Sequence, residues 1–550
     1  MRALLVVLSL VLAAPVAGVL LSWTRLDAQA LAVLGHQAQT VMAGYVGQSL
    51  LLAAGVAVGT AVLGVGTAVA VALFRFPGRR FFEWGLLLPM AMPAYVLAYA
   101  ATDALQPSGL VQQALRQTLD TWRGAGPSLG AASPLWPDVR SLGGAIPLFV
   151  LCLYPYVYLL TRAALGDRAV QMMEAARLLG AGLTRRLVTV ALPLARPAVV
   201  AGVALALMET LADYGVGAFF GLATFTTGIY RAWLSMNDPV AALQLASLLL
   251  VVVALLLALE RRAQSRLRFA SSRAGAAQAA EARPVVLRGA AGWAMWGFCA
   301  LPVLLGFGLP VAWLLGMLWR EAQYAEMGLP LERFVQWSWA TFRLAGISAL
   351  AATAVALALG FALRRPQGAR PGADAALGWA ARLLSLGYAV PGAVVAIGIL
   401  VPLGWAQQRW PESAWTPWFT GTVLGVLYAY LVRFSSVALQ SVEAGYARVP
   451  ASVDETARML GAGRARVFWQ LHLPLLRRPA LAAMLLVFVD VMKELPATLV
   501  LRPFGSDTLA VVAYNLARDE RLAEAALPSL AIVGVGLLPV LLLSRAMRQM

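Results

Sequence analysis

The sequence predicts an all-α polytopic membrane protein with about twelve transmembrane helices in two halves related by a pseudo-two-fold axis. Three observations predict this fold class. Hydrophobic residues make up 61% of the 550 positions and charged residues 13%, whereas soluble proteins carry about a quarter charged residues. Apolar runs of roughly 20 residues, the length that crosses a hydrocarbon core, recur along the chain. A polar segment occurs twice, once in each half.

The apolar runs divide evenly around a polar stretch at 260–288, which we predict to be a cytoplasmic linker between halves at 1–259 and 289–550. The first run could instead be a cleaved signal peptide, but it is long and only Arg2 precedes it, so a retained anchor is favoured. The predicted runs lie at about 3–22, 48–74, 81–101, 143–163, 198–220, 239–259, 290–318, 341–363, 379–403, 418–438, 480–500 and 526–546.

Proline and glycine interrupt several of these runs, at Pro89 and Pro93, at Pro391-Gly392 and at Pro496. Such breaks are tolerated in a membrane where irregular backbone is buried in protein or lines a cavity. They suit a bundle with a central pathway, although a packing kink explains any single break equally well.

Basic residues orient the chain. With the N-terminus in the cytoplasm and alternating spans, most of the 43 lysine and arginine residues fall on the cytoplasmic side, as the positive-inside rule requires. Topology therefore explains the net charge of +17, and the predicted partner is the lipid bilayer rather than nucleic acid. Both termini are predicted to be cytoplasmic.

Outer loops such as 102–142 and 501–525 could meet an extracytoplasmic partner or act as plain connectors.

The repeated polar segment is the most informative feature of the sequence. Its copies lie at 174–197 and 455–479, and both are predicted to be cytoplasmic. An acid near a helix start is favoured by the helix dipole, and a glycine permits a sharp turn. A short helix lying across the ends of the spans could be a handle for a two-fold partner or a cap of the bundle. The copies read Glu174-Ala-Ala-Arg-Leu-Leu-Gly180 and Glu455-Thr-Ala-Arg-Met-Leu-Gly461, and they continue to Leu192-Pro193 and Leu473-Pro474.

These residues resemble the signature of permease subunits of binding-protein-dependent ABC importers, which is Glu-Ala-Ala-x3-Gly followed by hydrophobic-x-Leu-Pro. Val190-Ala-Leu-Pro193 completes the first copy, and Thr456 in the second stands where alanine is usual. The resemblance implies the type I importer fold, in which each segment is a coupling helix that docks into an ATPase subunit. We call 174–197 and 455–479 the first and second coupling segments. The docking residues that the resemblance implies are Glu174, Ala175, Ala176, Gly180, Glu455, Thr456, Ala457 and Gly461.

Other stretches are similar to fused permeases of the ferric-iron uptake group, above all Asp507-Thr-Leu-Ala510 and Asp519–Pro528. This resemblance implies a multi-pass protein of the bacterial inner membrane that receives ferric iron from a periplasmic binding protein. It also implies a homodimer of ABC ATPase subunits that binds ATP and Mg²⁺. Thiamine, sulfate and polyamine permeases share the motif and are alternatives. An ion-coupled secondary transporter would explain the span count but not the repeated segments.

No catalytic, metal or cofactor site is predicted in this chain, so it is predicted not to be an enzyme. A phosphate-binding P-loop needs Gly-x4-Gly-Lys-Ser/Thr, and the sole lysine, Lys493, stands between Met492 and Glu494. ATP must therefore be hydrolysed by another polypeptide. The two cysteines lie in apolar runs, and the two histidines are far apart in the sequence, which predicts neither a nucleophile–base pair nor a metal cluster.

Four acids in the predicted spans are candidate residues of a translocation pathway. Within each half the two acids are spaced i, i+4 and so share one helix face. Ionisable residues within a membrane usually face the bundle interior or water, and carboxylates suit a hard cation such as Fe(III). The alternative is a structural role, capping broken helices or bonding between helices, with Lys493 neutralising Glu494. The offset of 281 residues between the copies pairs Glu209 with Asp490 and Asp213 with Glu494.

Overall fold

The structure, a computed structural model, describes residues 2–21, 23, 28–123, 137–165, 167–272, 285–324, 328–364, 371–413 and 415–548. The predicted all-α class is confirmed. Strand structure within those ranges consists of one short parallel pairing, between β1 (Phe74–Arg75) and β2 (Val285–Val286).

Helices occupy most of the described chain, and several are interrupted by 3₁₀ or π-helical turns. The helices before residue 273 are α1 (Arg2–Leu21), α2 (Ala28–Thr40), α3 (Met42–Leu73), α4 (Arg79–Gly85), α5 (Ala94–Leu105), α6 (Leu110–Arg123), α7 (Leu142–Ala164), α8 (Asp167–Leu178), α9 (Leu183–Arg186), α10 (Leu192–Ala212), α11 (Gly215–Phe219), α12 (Phe225–Tyr230) and α13 (Pro239–Ser272). The later helices are α14 (Ala290–Val303), α15 (Leu309–Tyr324), α16 (Leu331–Leu363), α17 (Pro371–Leu384), α18 (Gly392–Arg409), α19 (Trp415–Gly421), α20 (Leu424–Tyr446), α21 (Ala451–Met459), α22 (Arg464–Arg466), α23 (Leu473–Met492), α24 (Pro496–Leu501), α25 (Leu509–Arg518) and α26 (Leu522–Arg548).

Among the described residues, seven helices are long and apolar enough to cross a membrane, and two bent helix pairs raise that number to nine. The bends measure 87° after Ala91 and 115° after Ala389. They fall at Pro93 and Pro391, as the sequence predicts, because a proline lacks the N–H that would continue the helix. The predicted runs at 3–22, 418–438 and 480–500 form helices α1, α20 and α23, which do not meet the same criterion of length and apolarity.

The chain forms two compact units, of which the first contains residues 1–37, 229–250 and 330–512. In this unit α16, α20 and α23 pack against one another, and α1 packs against α17 and α18. A Cβ added at Gly398 would lie 2.3 Å from the Pro15 carbonyl oxygen. Glycine at that position therefore allows the backbones of α1 and α18 to touch.

The second unit contains residues 38–228, 251–329 and 513–550. Here α3, α7 and α10 pack together, and α15 packs against α26. A Cβ added at Gly202 would lie 2.7 Å from the Val157 Cα atom, so α7 and α10 also meet through a glycine.

Each unit combines segments from both halves of the sequence. The first unit takes α1 from the first half, and the second takes α14 and α15 from the second half. Of the predicted linker, residues 260–272 continue α13 and residues 273–284 lie outside the described ranges. The boundaries of the two predicted sequence halves stay a prediction.

Candidate functional site

The first coupling segment contains a helix that ends in a Schellman motif. The helix is α8, and Gly180 follows its end with a φ of +82°. The Gly180 N–H donates to the Arg177 carbonyl at 2.9 Å, and the Ala181 N–H donates to the Ala176 carbonyl at 3.0 Å. These bonds satisfy carbonyls that the helix end would leave unpaired, and glycine adopts this backbone at no steric cost. Glu174 lies in α8, but its side chain is outside what the structure describes.

The second coupling segment repeats this turn at the end of α21. Gly461 has a φ of +76°. Its N–H donates to the Arg458 carbonyl at 2.9 Å, and the Ala462 N–H donates to the Ala457 carbonyl at 3.0 Å. Thr456, the departure from the family signature, is exposed and its hydroxyl donates to a carbonyl of its own helix at 2.9 Å. The substitution is therefore accommodated without changing the turn.

An exposed apolar pair precedes the glycine in each copy. Leu178 and Leu179 are 87% and 88% exposed, and Met459 and Leu460 are 89% and 81% exposed. Exposed apolar surface at the tip of a polar segment marks an interaction site. These four side chains are not among the docking residues predicted from the sequence. The signal that could have found them is the recurrence of two large apolar residues at matched positions in a polar stretch.

Each segment leads into a span without an intervening loop. After the glycine turn a short helix, α9 or α22, passes directly into a π-helical turn, at Leu187–Ala191 or Val467–His472. That turn continues into α10 or α23, where Pro193 and Pro474 occupy the first turn. A proline lacks the N–H that would bond to the preceding turn, and in both copies the backbone just before it is π-helical. Helical backbone therefore continues from the glycine turn into the span in both copies.

The family described as the binding-protein-dependent transport system inner membrane component matches this chain twice, at residues 61–269 and 377–550. Each range contains one coupling segment. The chain belongs to this family. The predicted repetition of a permease unit is thus confirmed, and an ion-coupled secondary transporter is no longer an alternative for this permease.

Individual relatives carry different substrates in their names. The permease is 24% identical over 508 residues to the Fe(3+)-transport system permease protein FbpB 2 of Haemophilus influenzae, which covers 92% of this chain and 90% of that protein. It is 30% identical over 172 residues to the 2-aminoethylphosphonate transport system permease protein PhnV of Salmonella typhimurium, covering 31% and 62%. It is 28% identical over 203 residues to the molybdenum transport system permease protein ModB of Haemophilus influenzae, covering 35% and 82%.

The second coupling segment of the permease is fixed by a buried polar cluster of Arg364, Tyr446, Asp454 and His472. Asp454 lies in the first turn of α21 and is 5% exposed. Its carboxylate accepts from His472 Nε2 at 2.7 Å and from the Arg364 guanidinium. Arg364 also donates to two carbonyls of the turn between α20 and α21, at 2.9 and 2.6 Å. The cluster joins α21 to the ends of α16 and α20 and to the start of α23.

The matched positions of the first copy are apolar. Positions 281 residues earlier carry Leu165, Met173 and Ala191 in place of Tyr446, Asp454 and His472. Phe74 follows the end of α3 as Arg364 follows the end of α16. All four of these residues are buried in one hydrophobic cluster. At these described positions the first coupling segment is anchored by apolar packing, where the second is held by charges and hydrogen bonds.

Two of the four candidate pathway acids cap short helices at matched breaks. The Asp213 carboxylate accepts the Val216 N–H of α11 at 2.8 Å. The Glu494 carboxylate accepts the N–H groups of Ala497 and Thr498 in α24 at 2.9 and 3.0 Å. A carboxylate at a helix start pairs N–H groups that lack intrahelical partners and opposes the dipole. Both acids therefore occupy the helix-capping positions that were predicted as the alternative to a pathway role. Their role in a translocation pathway stays a prediction.

Glu494 is also half of a buried ion pair. Arg433 donates to its carboxylate at 2.8 Å, and the two side chains are 10% and 1% exposed. Lys493, the expected neutraliser of Glu494, pairs instead with Asp490 at 2.9 Å, because residues three apart share a helix face. Glu209 lies half-buried in α10. Glu209 and Asp490 lie within α10 and α23, before the breaks that Asp213 and Glu494 cap.

The loop between α24 and α25 presents an aromatic side chain on a braced turn. Phe504 is 108% exposed, the highest value among the large hydrophobic side chains that the structure describes. Arg502 Nε donates to Asp507 across the base of the loop at 2.6 Å, and Gly505 turns the chain with a φ of +76°. The matched residue in the first half, Ala223, is half-buried and its N–H is bonded at 2.7 Å. Only the second of these two loops therefore offers a large side chain to a partner.

Proposed function

We propose that this permease moves ferric iron across the bacterial inner membrane, driven by ATP hydrolysis in two copies of a separate ATPase subunit. The observation that carries the proposal is the pair of coupling segments, which share one glycine turn and one exposed apolar pair. A symmetric dimer presents the same surface twice, so two like segments suit a homodimer. ATP and Mg²⁺ would be bound by that dimer, because this sequence contains no P-loop.

The geometry supports a mechanical coupling. In the proposed cycle, ATP binding closes the ATPase dimer and hydrolysis lets it reopen, which moves the two exposed tips. Each tip is joined through a π-helical turn to α10 or α23, so its motion reaches the membrane as a displacement of a whole span. The two halves would then alternate between inward-facing and outward-facing states.

Ferric iron is favoured over the other substrates by the extent of similarity. The iron relative matches across 92% of this chain and 90% of its own length, whereas the phosphonate and molybdenum relatives match over 62% and 82% of their own lengths. Carboxylates suit a hard cation, and Glu209 and Asp490 occupy matched positions near the ends of α10 and α23. Thiamine, sulfate and polyamine are the remaining alternatives.

The test is uptake into proteoliposomes that contain the permease and its ATPase, with the binding protein and radiolabelled Fe(III) outside. ATP-dependent accumulation of iron is expected, without accumulation of molybdate, sulfate or thiamine. Glu209→Gln combined with Asp490→Asn is expected to reduce iron uptake to background while ATPase assembly and stimulation persist. Accumulation of another solute would overturn the iron assignment, and uptake independent of ATP would overturn the importer. Normal iron uptake by the double variant would exclude the two acids from the pathway.

The proposed binding-protein contact includes Phe504. In the proposed orientation the coupling segments and both termini are cytoplasmic. Helix α23 has 20 residues and a length of roughly 30 Å, so in this orientation the loop after α24 would lie on the periplasmic side. A large aromatic on a preorganised turn is the usual form of an interface anchor.

Phe504→Ala is expected to weaken the half-maximal stimulation of ATPase activity by the binding protein about tenfold or more, in the range of anchor residues. Basal ATPase activity is expected to stay unchanged, because the 20 residues of α23 separate the loop from the second coupling segment. Phe504→Tyr, which keeps the ring, serves as the matched control and should behave as wild type. Titration of the binding protein in the ATPase assay measures both. An unchanged titration curve for Phe504→Ala would remove this loop from the contact.

A further inference from the structure

We propose that Arg364, Asp454 and His472 are positioning residues that set the orientation of the second coupling segment, and that the described residues at the matched positions of the first segment anchor it by apolar packing instead. The inference rests on the proposed function in one respect, that the segments receive force from an ATPase. The two segments have the same exposed tip and the same glycine turn but chemically different anchors. Because one chain carries both coupling segments, the residues that anchor the two segments can differ, and in this permease they do.

The geometry of the polar cluster leaves little freedom. Asp454 is 5% exposed and uses both carboxylate oxygens, one for His472 and one for Arg364. A carboxylate only accepts, so His472 Nε2 carries the proton in this contact. In the neutral ring Nδ1 is then an acceptor, and the Tyr446 hydroxyl lies 3.4 Å away. Each bond fixes a direction as well as a distance.

Apolar packing at the first segment imposes a weaker constraint. The hydrophobic effect is non-directional, so Met173 can shift against Leu165 and Ala191 with little loss. In the second segment a shift of α21 would separate a buried carboxylate from a guanidinium, which is strongly unfavourable. The second segment is therefore expected to move as one body with the ends of α16 and α23, and the first to tolerate small displacements.

Spin-label mobility tests the anchor without any ATPase present. Labels are attached through Met459→Cys in the second tip and Leu178→Cys in the first, both positions being highly exposed, while the native cysteines are buried. Asp454→Asn and Asp454→Ala are expected to increase the mobility of the label at 459 and to leave the label at 178 unchanged. Equal spectra at 459 with and without these substitutions would overturn the proposal. So would an equal change at both tips, which indicates general loosening.

Coupling in proteoliposomes gives the functional readout. For Asp454→Asn and His472→Gln we expect substrate moved per ATP hydrolysed to fall at least about fivefold, the lower end of coupling between sites, with ATPase binding retained. The first copy supplies a rescue, because its apolar residues can be transplanted as Arg364→Phe, Tyr446→Leu, Asp454→Met and His472→Ala. This fourfold variant is expected to couple better than either single variant. Wild-type coupling in both single variants would overturn the inference, whereas failure of the wild-type permease to bind an ATPase would overturn the proposed function instead.

Discussion

Replacing Gly180 or Gly461 with valine is expected to uncouple ATP hydrolysis from transport while leaving the permease in the membrane. Both glycines adopt left-handed backbone, at φ values of +82° and +76°. An L residue in that region costs roughly 1–2 kcal/mol, and more when it is β-branched. The turn is expected to relieve this strain by giving up its Schellman bonds, which would redirect Leu179 or Leu460 next to it. A Cβ at either glycine meets nothing within 4 Å, so the effect would come from backbone conformation rather than from a clash within the chain.

The chain offers a matched control two residues further on. Gly182 and Gly463 have φ values of −65° and −69°, which any residue adopts, and a Cβ there also meets nothing within 4 Å. Gly182→Ala and Gly463→Ala are therefore expected to couple as wild type. The measurement is the ratio of solute transported to ATP hydrolysed, and the valine variants are expected to lose at least about tenfold, within the usual range of coupling between sites. Valine variants that transport as efficiently as the alanine controls would show that the segments only cap the bundle.

Local features of this permease were predictable because membrane chemistry acts on short stretches of sequence. Runs of about 20 apolar residues form helices since a lipid-exposed backbone must satisfy its own hydrogen bonds. Pro93 and Pro391 lie at the two sharp bends, because proline removes the same bond wherever it occurs. The turn at Gly180 follows from the glycine itself.

Tertiary features were not predictable in the same way. The sequence divides at a polar stretch, yet α1 packs against α17 and α18, more than 300 residues away. Helix propensity carries no information about partners at such separation. The anchor of Asp454 was missed for the same reason, since its partners Arg364 and His472 lie 90 and 18 residues away. His472 lies in the second coupling segment by sequence, but no local pattern indicates that a carboxylate faces it.

The sequence spacing of Asp490 and Glu494 does not determine which partners the two carboxylates contact. The i, i+4 spacing of Asp490 and Glu494 predicts one shared helix face, but α23 ends between them, at Met492. Glu494 therefore turns to Arg433 and to the N-terminus of α24, and Asp490 to Lys493. The helix break predicted at Pro496 therefore gives Asp490 and Glu494 different partners.

Glu494→Ala is expected to cost about 3–5 kcal/mol of stability, the range measured when one partner of a buried ion pair is removed. The loss is large because Arg433 is 8% exposed and would keep its charge in a dry site. The N–H groups of Ala497 and Thr498 would lose their acceptor in the same step. Unfolding of the purified permease in detergent, followed by intrinsic tryptophan fluorescence, measures the change.

The control is Asp490→Asn, at the pair next to it. Lys493 is 34% exposed at its side chain, so solvent can take over its charge and the expected cost is under about 1 kcal/mol, as for exposed pairs. A difference between the two variants separates a carboxylate in a buried ion pair from one in a partly exposed pair. If Glu494→Ala were as stable as Asp490→Asn, the ion pair with Arg433 would not hold the break between α23 and α24.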